Sequence, residues 1–156
     1  INRGYDLKVY IDAVRKLKNM DIDVVTHVIL GLPGENRKEM LETVDFVANS
    51  GTHGIKLHLL HLLKDTKLVE MYNRGDFKFM EFDEYVETVV ECIERIPADM
   101  VIHRITGDGP RDTLIGPRWS LKKFEVINAI DHLLMDKDTW QGKRFAPNKE
   151  IENIFI

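Results

Sequence analysis

One short run constrains this chain more than any other. Val24-Val25-Thr26-His27-Val28-Ile29-Leu30 is β-branched and almost continuously apolar, and Gly31-Leu32-Pro33-Gly34 stops it abruptly. Such a run is what a strand covered on both faces needs, and strands of that kind belong to parallel sheets whose strands are joined by helices.

Helical patterns flank it. Asp6 caps a helix whose apolar positions Leu7, Tyr10, Ile11, Val14 and Leu17 share one stripe, ending near Asn19. Asn36 followed by Glu39 begins the next helix as a capping box, with Leu41, Val44, Val47 and Ala48 inside and Gly51 closing it. A second strand is expected over 55–60, then a short helix around 68–72 ended by Gly75. A longer helix starts at Asp83, buries Val86, Val89, Val90, Ile93 and Ile96, and stops at Pro97. A third strand over 100–106, a loop over 107–112 and a last helix capped by Ser120, with Phe124, Ile127, Ile130 and Leu134 on its stripe, complete the pattern. Strand alternating with helix means βαβ units, a parallel sheet, and loops gathered on one rim where ligands bind. Residues 1–135 read as this α/β unit and 136–156 as a polar, basic C-terminal tail.

Composition sets limits. With 156 residues, 44% hydrophobic and 31% charged, the chain can build one modest core. It opens on Ile1-Asn2-Arg3-Gly4 without a Met or a signal-like stretch, which reads as a cut through a longer protein and implies no secretion. Its apolar runs are far shorter than the about 20 residues of a membrane span, so no membrane contact is expected. A single cysteine, Cys92, excludes an internal disulfide and any multi-cysteine metal site within the chain, and a reducing, cytoplasmic setting fits. A net charge of -4 argues against a generally basic nucleic-acid surface, so any such contact must be local.

The separated motifs point further. Asn2-Arg3-Gly4-Tyr5, the strand closing in Gly31-Leu32-Pro33-Gly34-Glu35, then Gly54-Ile55-Lys56-Leu57-His58-Leu59-Leu60-His61, Ile102-His103-Arg104-Ile105-Thr106-Gly107-Asp108-Gly109-Pro110-Arg111 and Asp138-Thr139-Trp140-Gln141-Gly142-Lys143-Arg144 follow one another along nearly the whole sequence. In that order they resemble the second half of radical S-adenosylmethionine (SAM) enzymes. The likeness is to an Fe-S oxidoreductase subfamily similar to elongator-type proteins and oxygen-independent coproporphyrinogen oxidases. The resemblance implies the parallel βα half of a partial (β/α)6 TIM-like barrel with a C-terminal helical extension. It also implies a parent enzyme that uses a 4Fe-4S cluster and SAM to form a 5′-deoxyadenosyl radical. The CxxxCxxC loop of that family is not in this sequence, so the chain alone is expected to be inactive and to bind neither cofactor, its partner being the other half of the barrel. Carried over to this sequence, the strand ending at Gly31 flanks the adenine, and Ile29, Leu30, Gly31, Gly34, His58 and Leu60 are the implied SAM-binding positions. His27 stands where the family's GxIxGxxE pattern has its first Gly, and Gly34 where it has Glu.

Substrate candidates come from the residues themselves. Lys56 and His58 share one face of the second strand while Ile55, Leu57 and Leu59 take the other, so the polar pair would line the barrel interior. His58 and His61, three apart on a regular strand, would point to opposite faces and make a poor chelate. His103, Arg104, Asp108 and Arg111 lie in or beside a glycine-rich loop at a strand's end, where Arg111 can hold a carboxylate or phosphate; an ordinary surface turn is the alternative. Each histidine could equally be satisfied by a backbone carbonyl or water. Trp140, with Lys143 and Arg144, and Arg118, Trp119, Lys122 and Lys123 mix cations with aromatic planes as RNA recognition does, although a solvated helix face explains Lys122 and Lys123. Cys92 reads as a core residue. The resemblance to elongator-type proteins, together with the segment carrying Trp140, Lys143 and Arg144, implies a tRNA base as the preferred substrate, with a small anionic metabolite the next. A metal-dependent barrel hydrolase built on His27, His58 and His103, or a non-catalytic binding module, are the readings from other classes. The apolar first strand, if unpaired on one side, is also expected to promote self-association, or to be covered by the apolar end of the tail.

Overall fold

The computed structural model describes residues 4–107 and 109–156. Along the chain run α1 (Leu7–Lys18), β1 (Val25–Leu30), α2 (Arg37–Ala48), β2 (Gly54–Leu59), β3 (Leu62–Leu63), α3 (Lys67–Arg74), α4 (Phe82–Arg95), β4 (Val101–Arg104), β5 (Leu114–Gly116), a 3-10 turn (Arg118–Leu121), α5 (Lys123–Asp136) and α6 (Lys149–Ile154). Local chemistry fixes several ends. The Val9 amide donates to Asp6 at 3.2 Å, and Asn36 and Glu39 satisfy each other's backbone amides at 3.1 and 2.8 Å, the reciprocal box expected there. Gly75, at φ 80°, lets the chain turn out of α3 in the left-handed region.

The sheet is parallel, in the order β1-β2-β4. His27 pairs with Lys56 and Ile29 with His58, while Gly54 pairs with Val101. Val28, Leu30, Ile55, Leu57 and Leu59 point into one core with Met40 and Val44 of α2, Val86, Val89 and Val90 of α4, and Val126 and Ile130 of α5. Full burial of one such aliphatic side chain contributes about 1.5–3 kcal/mol, so this single layer of helices carries most of the apolar stabilisation. Cys92 belongs to that layer and is fully buried, as its place on the α4 stripe suggested.

Several expectations need correcting. β1 is covered on one face only: Val28 and Leu30 are buried, but His27 is exposed and Ile29 is 38% exposed, because α2, α4 and α5 all lie on the other side. Leu7 and Leu17 are exposed, and α1 meets the rest of the chain through Tyr10, Ile11 and Val14. Ser120 does not cap the last helix. It sits in the 3-10 turn and donates to the Pro117 carbonyl at 2.7 Å, and Phe124 points outward at 80% exposure. The third strand is only four residues long, and a two-stranded antiparallel ladder, β3 with β5, follows the parallel sheet without any forewarning in the sequence.

The segment after α5 is tied down. The Gly142 and Arg144 amides donate to the Ile93 and Glu94 carbonyls at 3.2 and 2.8 Å, and Thr139 donates to the buried Glu94 carboxylate at 2.6 Å. Phe155 packs edge-on against Tyr10 and beside Phe46, while the Tyr10 hydroxyl bonds Thr26 of β1 at 2.8 Å.

Candidate functional site

The strand ends assemble the site. Gly31 closes β1 at φ +81°, a conformation that favours glycine, and a Cβ there would stand 3.0 Å from the Met80 sulfur. The Gly31 amide points at the Met40 sulfur, 3.1 Å away. Gly34, also at φ +81°, shapes the turn after it with open space around it. Leu60 continues β2 by donating its amide to the Leu30 carbonyl at 2.9 Å. The Leu30 side chain is fully buried in the helix-facing core, so Leu30 can offer a ligand its backbone only, whereas Ile29 turns its side chain to the open face.

That open face is basic. Strand alternation puts His27 of β1 and Lys56 and His58 of β2 on it, opposite the core residues Ile55 and Leu57. The His27 and His58 rings stack at 5.2 Å with planes 26° apart. Next to them the β2–β4 ladder slips, so that Ile55 faces Ile102 but Lys56 faces Arg104, leaving His103 as an extra residue on β4. A slip of this kind re-aims side chains, and here it brings His103 and Arg104 to the Lys56 face. The His103 ring lies over Gly54, where a Cβ would come within 2.7 Å of two of its ring atoms. Burial lowers the His27 and His58 pKa values first of all; Lys56, Arg104 and His103 lower that of His27 further, and His27, Arg104, Lys56 and His61 that of His58.

The loop after β4 closes the rim. The Tyr85 hydroxyl, on α4, holds the Ile105 carbonyl at 2.9 Å, and Thr106 and Gly107 follow as buried residues. A Cβ on Gly107 would lie 3.4 Å from His58 Nδ1 and 3.7 Å from His61 Cε1. His58 and His61 thus converge on one loop, contrary to the opposite-face expectation, because β2 ends at Leu59 and His61 is no longer on a strand. His61 Nε2 also meets Ser120 Oγ at 3.1 Å. Three buried polar atoms here, Glu35 Oε2, His58 Nε2 and Thr106 Oγ1, have no hydrogen-bond partner. Burial, with the charge of Glu39, raises the Glu35 pKa.

Ile29, Gly31, Lys56, His58, Leu60, His103 and Arg104 therefore share the open face or its rim, and Arg111 stands exposed on the loop beyond, near Lys122 and Phe124. Asp108 lies outside the described residues. Trp140 is elsewhere: its neighbour Gln141 donates to the Pro97 and Met100 carbonyls, at the entry of β4 and so at the opposite end of the strand from the rim, and Lys143 rests over the exposed indole at 4.5 Å. Trp119 is structural, donating to the Met80 carbonyl and packing on Phe82 and Tyr85. Sequence reasoning missed Glu35 and Thr106, for which only burial without a partner is a signal. Among the described residues no group of three or more His, Cys, Asp or Glu is placed to hold a metal ion, so the hydrolase reading finds no centre on His27, His58 and His103.

Barrel enzymes of parallel α/β type place their sites at the C-terminal ends of the strands, which is the rim that Gly31, His58 and the loop after β4 share here. Family models agree: residues 52–136 match the Radical_SAM C-terminal domain and residues 1–47 the Radical SAM superfamily. The chain belongs to the radical SAM superfamily. It is 47% identical over 150 residues to the protein YtqA of Bacillus subtilis (strain 168), covering 96% of this chain and 47% of that protein, so it spans about half the length of this relative. It is 29% identical over 93 residues, 57% of this chain and 21% of the relative, to the tRNA-2-methylthio-N(6)-dimethylallyladenosine synthase of Clostridium perfringens (strain SM101 / Type A). Its fold matches the Elp3 of the archaeon Methanocaldococcus infernus, solved with an N-terminal deletion, with a TM-score of 0.77 at 19% identity, over 90% of this chain and 33% of that one.

The family implies two groups, SAM and a 4Fe-4S cluster. The cluster does not fit these residues: Cys92 is the one cysteine, it is fully buried, and burial first, with Glu91 next, pushes its thiol up to about 12. SAM fits better, since Ile29 offers apolar surface beside Gly31 and three buried polar atoms nearby lack partners.

Proposed function

We infer that the whole protein is a radical SAM enzyme acting on a base of tRNA, and that this chain supplies one flank of its SAM site and part of its substrate face. The observation that carries this reading is the meeting, at one rim, of the glycine-closed β1 end with the cationic face of β2 and β4. Bound SAM would supply the 5′-deoxyadenosyl radical. This chain's part is positional. Ile29 and the backbone at Leu30 and Gly31 would cover the adenine, and His58 Nε2 and Thr106 Oγ1, each lacking a partner, would give polar contacts. Lys56 and Arg104 would hold an anionic part of the substrate in place. The similarity to a tRNA-modifying synthase favours tRNA, and the same cations suit a small anionic metabolite as the second reading.

The test is reductive cleavage of SAM by the full-length protein. Release of 5′-deoxyadenosine that is stimulated by tRNA supports the assignment. Cleavage stimulated only by a small anion moves it to the second reading, and a full-length protein that neither holds a cluster nor cleaves SAM ends it.

A further inference from the structure

The face of the sheet turned away from the helices combines five basic groups in a few residues: His27, Lys56, His58, His103 and Arg104. Some surface cations of this chain find a carboxylate, as Arg37 does with Glu87 and Glu91, and Arg95 with Asp45. Lys56 and Arg104 do not. Among the described residues neither has an ion-pair or hydrogen-bond partner, yet they face each other across the ladder.

Two further features make this an arrangement rather than an accident of composition. The register slip spends a ladder irregularity to put His103 and Arg104 opposite the single residue Lys56, and bulges recur beside functional sites for this purpose. Gly54 supplies the room, since any Cβ there would strike the His103 ring. The His58 ring, stacked on His27, borders the same place. Like charges gathered without compensation lower stability, and local rules are broken in this way chiefly where a ligand restores the balance.

We propose that Lys56 and Arg104, framed by His27, His58 and His103, form a binding site for a phosphate group of the substrate. This rests on the reading that the open face is turned to the substrate. The geometry suits phosphate: Arg104 offers a planar fork of donors and Lys56 a point charge, while the histidines add N–H donors at the margin. The phosphate could belong to an RNA backbone or to a small phosphorylated molecule, and the same cations would read either.

The experiment measures binding to the full chain of two probes, inorganic pyrophosphate and unfractionated tRNA, at fixed salt, with the imidazole resonances of His27 and His58 followed by NMR. Binding of either probe that shifts those resonances, and that weakens at least tenfold in the double variant Lys56→Gln with Arg104→Gln, is the expected result. The variant with Lys122→Gln and Lys123→Gln removes the same formal charge from α5 and its entry, and serves as the control for non-specific attraction. Circular dichroism of both variants verifies folding, and single variants replace a double variant that does not fold. Pyrophosphate alone binding here identifies a small phosphorylated substrate, and tRNA binding here identifies the RNA backbone. Equal weakening by both double variants, absence of imidazole shifts, or no binding of either probe overturns the site. Those outcomes leave the radical SAM reading standing, because that reading is judged by SAM cleavage in the full-length protein.

Discussion

His27 and His58 stack across the β1–β2 ladder with ring centroids 5.2 Å apart, although the register sets His27 opposite Lys56 and His58 opposite Ile29. The contact is thus a diagonal one, and it brings two imidazoles together on a face that already holds Lys56 and Arg104. Protonating either ring adds a charge to a cluster that, among the described residues, has no ion-paired carboxylate to receive it.

This gives a pH dependence with a definite sign. Burial and neighbouring cations lower both folded pKa values below the ordinary 6.5, so between the two values the unfolded chain binds more protons than the folded one. Stability from these groups is present above about 6.5 and lost as the pH falls through the lower folded values. Thermal unfolding should show Tm falling on acidification from neutral pH, with a shallower fall in His58→Asn. An unchanged pH slope in that variant would remove His58 as the cause.

Gly54 predicts a packing defect. An added methyl would meet the His103 ring at 2.7 Å and the Val101 carbonyl at 2.8 Å, and the second of these is backbone that cannot swing aside. Gly54→Ala should destabilise by about 1–3 kcal/mol, the usual cost of overpacking. Adding His103→Ala relieves only the ring, so denaturant melts should show partial rescue. Complete rescue would mean that the β2–β4 backbone shifts freely.

Much of this architecture was legible. The strand of β1, its glycine stop and the capping box at Asn36 are local signals, and local rules read them. The opposite faces of β2 followed from alternation, which placed Lys56 and His58 together. Alternation also concealed the most informative feature, for a regular strand separates His103 from Arg104, and only the slip against Lys56 reunites them. Leu62 and Leu63 form too short a strand to have a period, so their ladder with β5 left no trace. Phe124 fits a helical stripe by spacing alone, yet the first turn of α5 overhangs the core it would have joined. Trp140 stands out in the sequence as an indole among cations in a polar tail, and its position is set by backbone anchors that no motif records.

One such anchor is Thr139, whose hydroxyl donates to the buried Glu94 carboxylate at 2.6 Å while Arg144 approaches the other oxygen at 3.4 Å. Thr139→Val removes the donor without changing the shape and leaves a buried carboxylate oxygen short of a partner. A loss of about 1–3 kcal/mol is expected, with faster hydrogen exchange at the Gly142 and Arg144 amides that clasp α4. Global destabilisation without local exchange at these amides would mean that the segment is not held by this contact.

The last prediction concerns the free edge of β1. Val24 and Leu30 accept hydrogen bonds from the β2 side, so the alternate residues Val25, His27 and Ile29 turn their backbone groups the other way, and no strand among the described residues pairs with them. Ile29 and His27 leave that edge open on the sheet's uncovered face, while Phe155 packs on Tyr10 and Phe46 of the helix layer rather than along the edge. An open apolar edge is a template for strand pairing between molecules. The chain on its own should therefore gain mass with concentration in light scattering. Val25→Pro removes an outward amide at the first residue of the strand, where proline costs no ladder bond, and should shift the population towards monomer while leaving the circular dichroism spectrum unchanged. A monomer at every concentration, or association untouched by Val25→Pro, would show that this edge is not the contact.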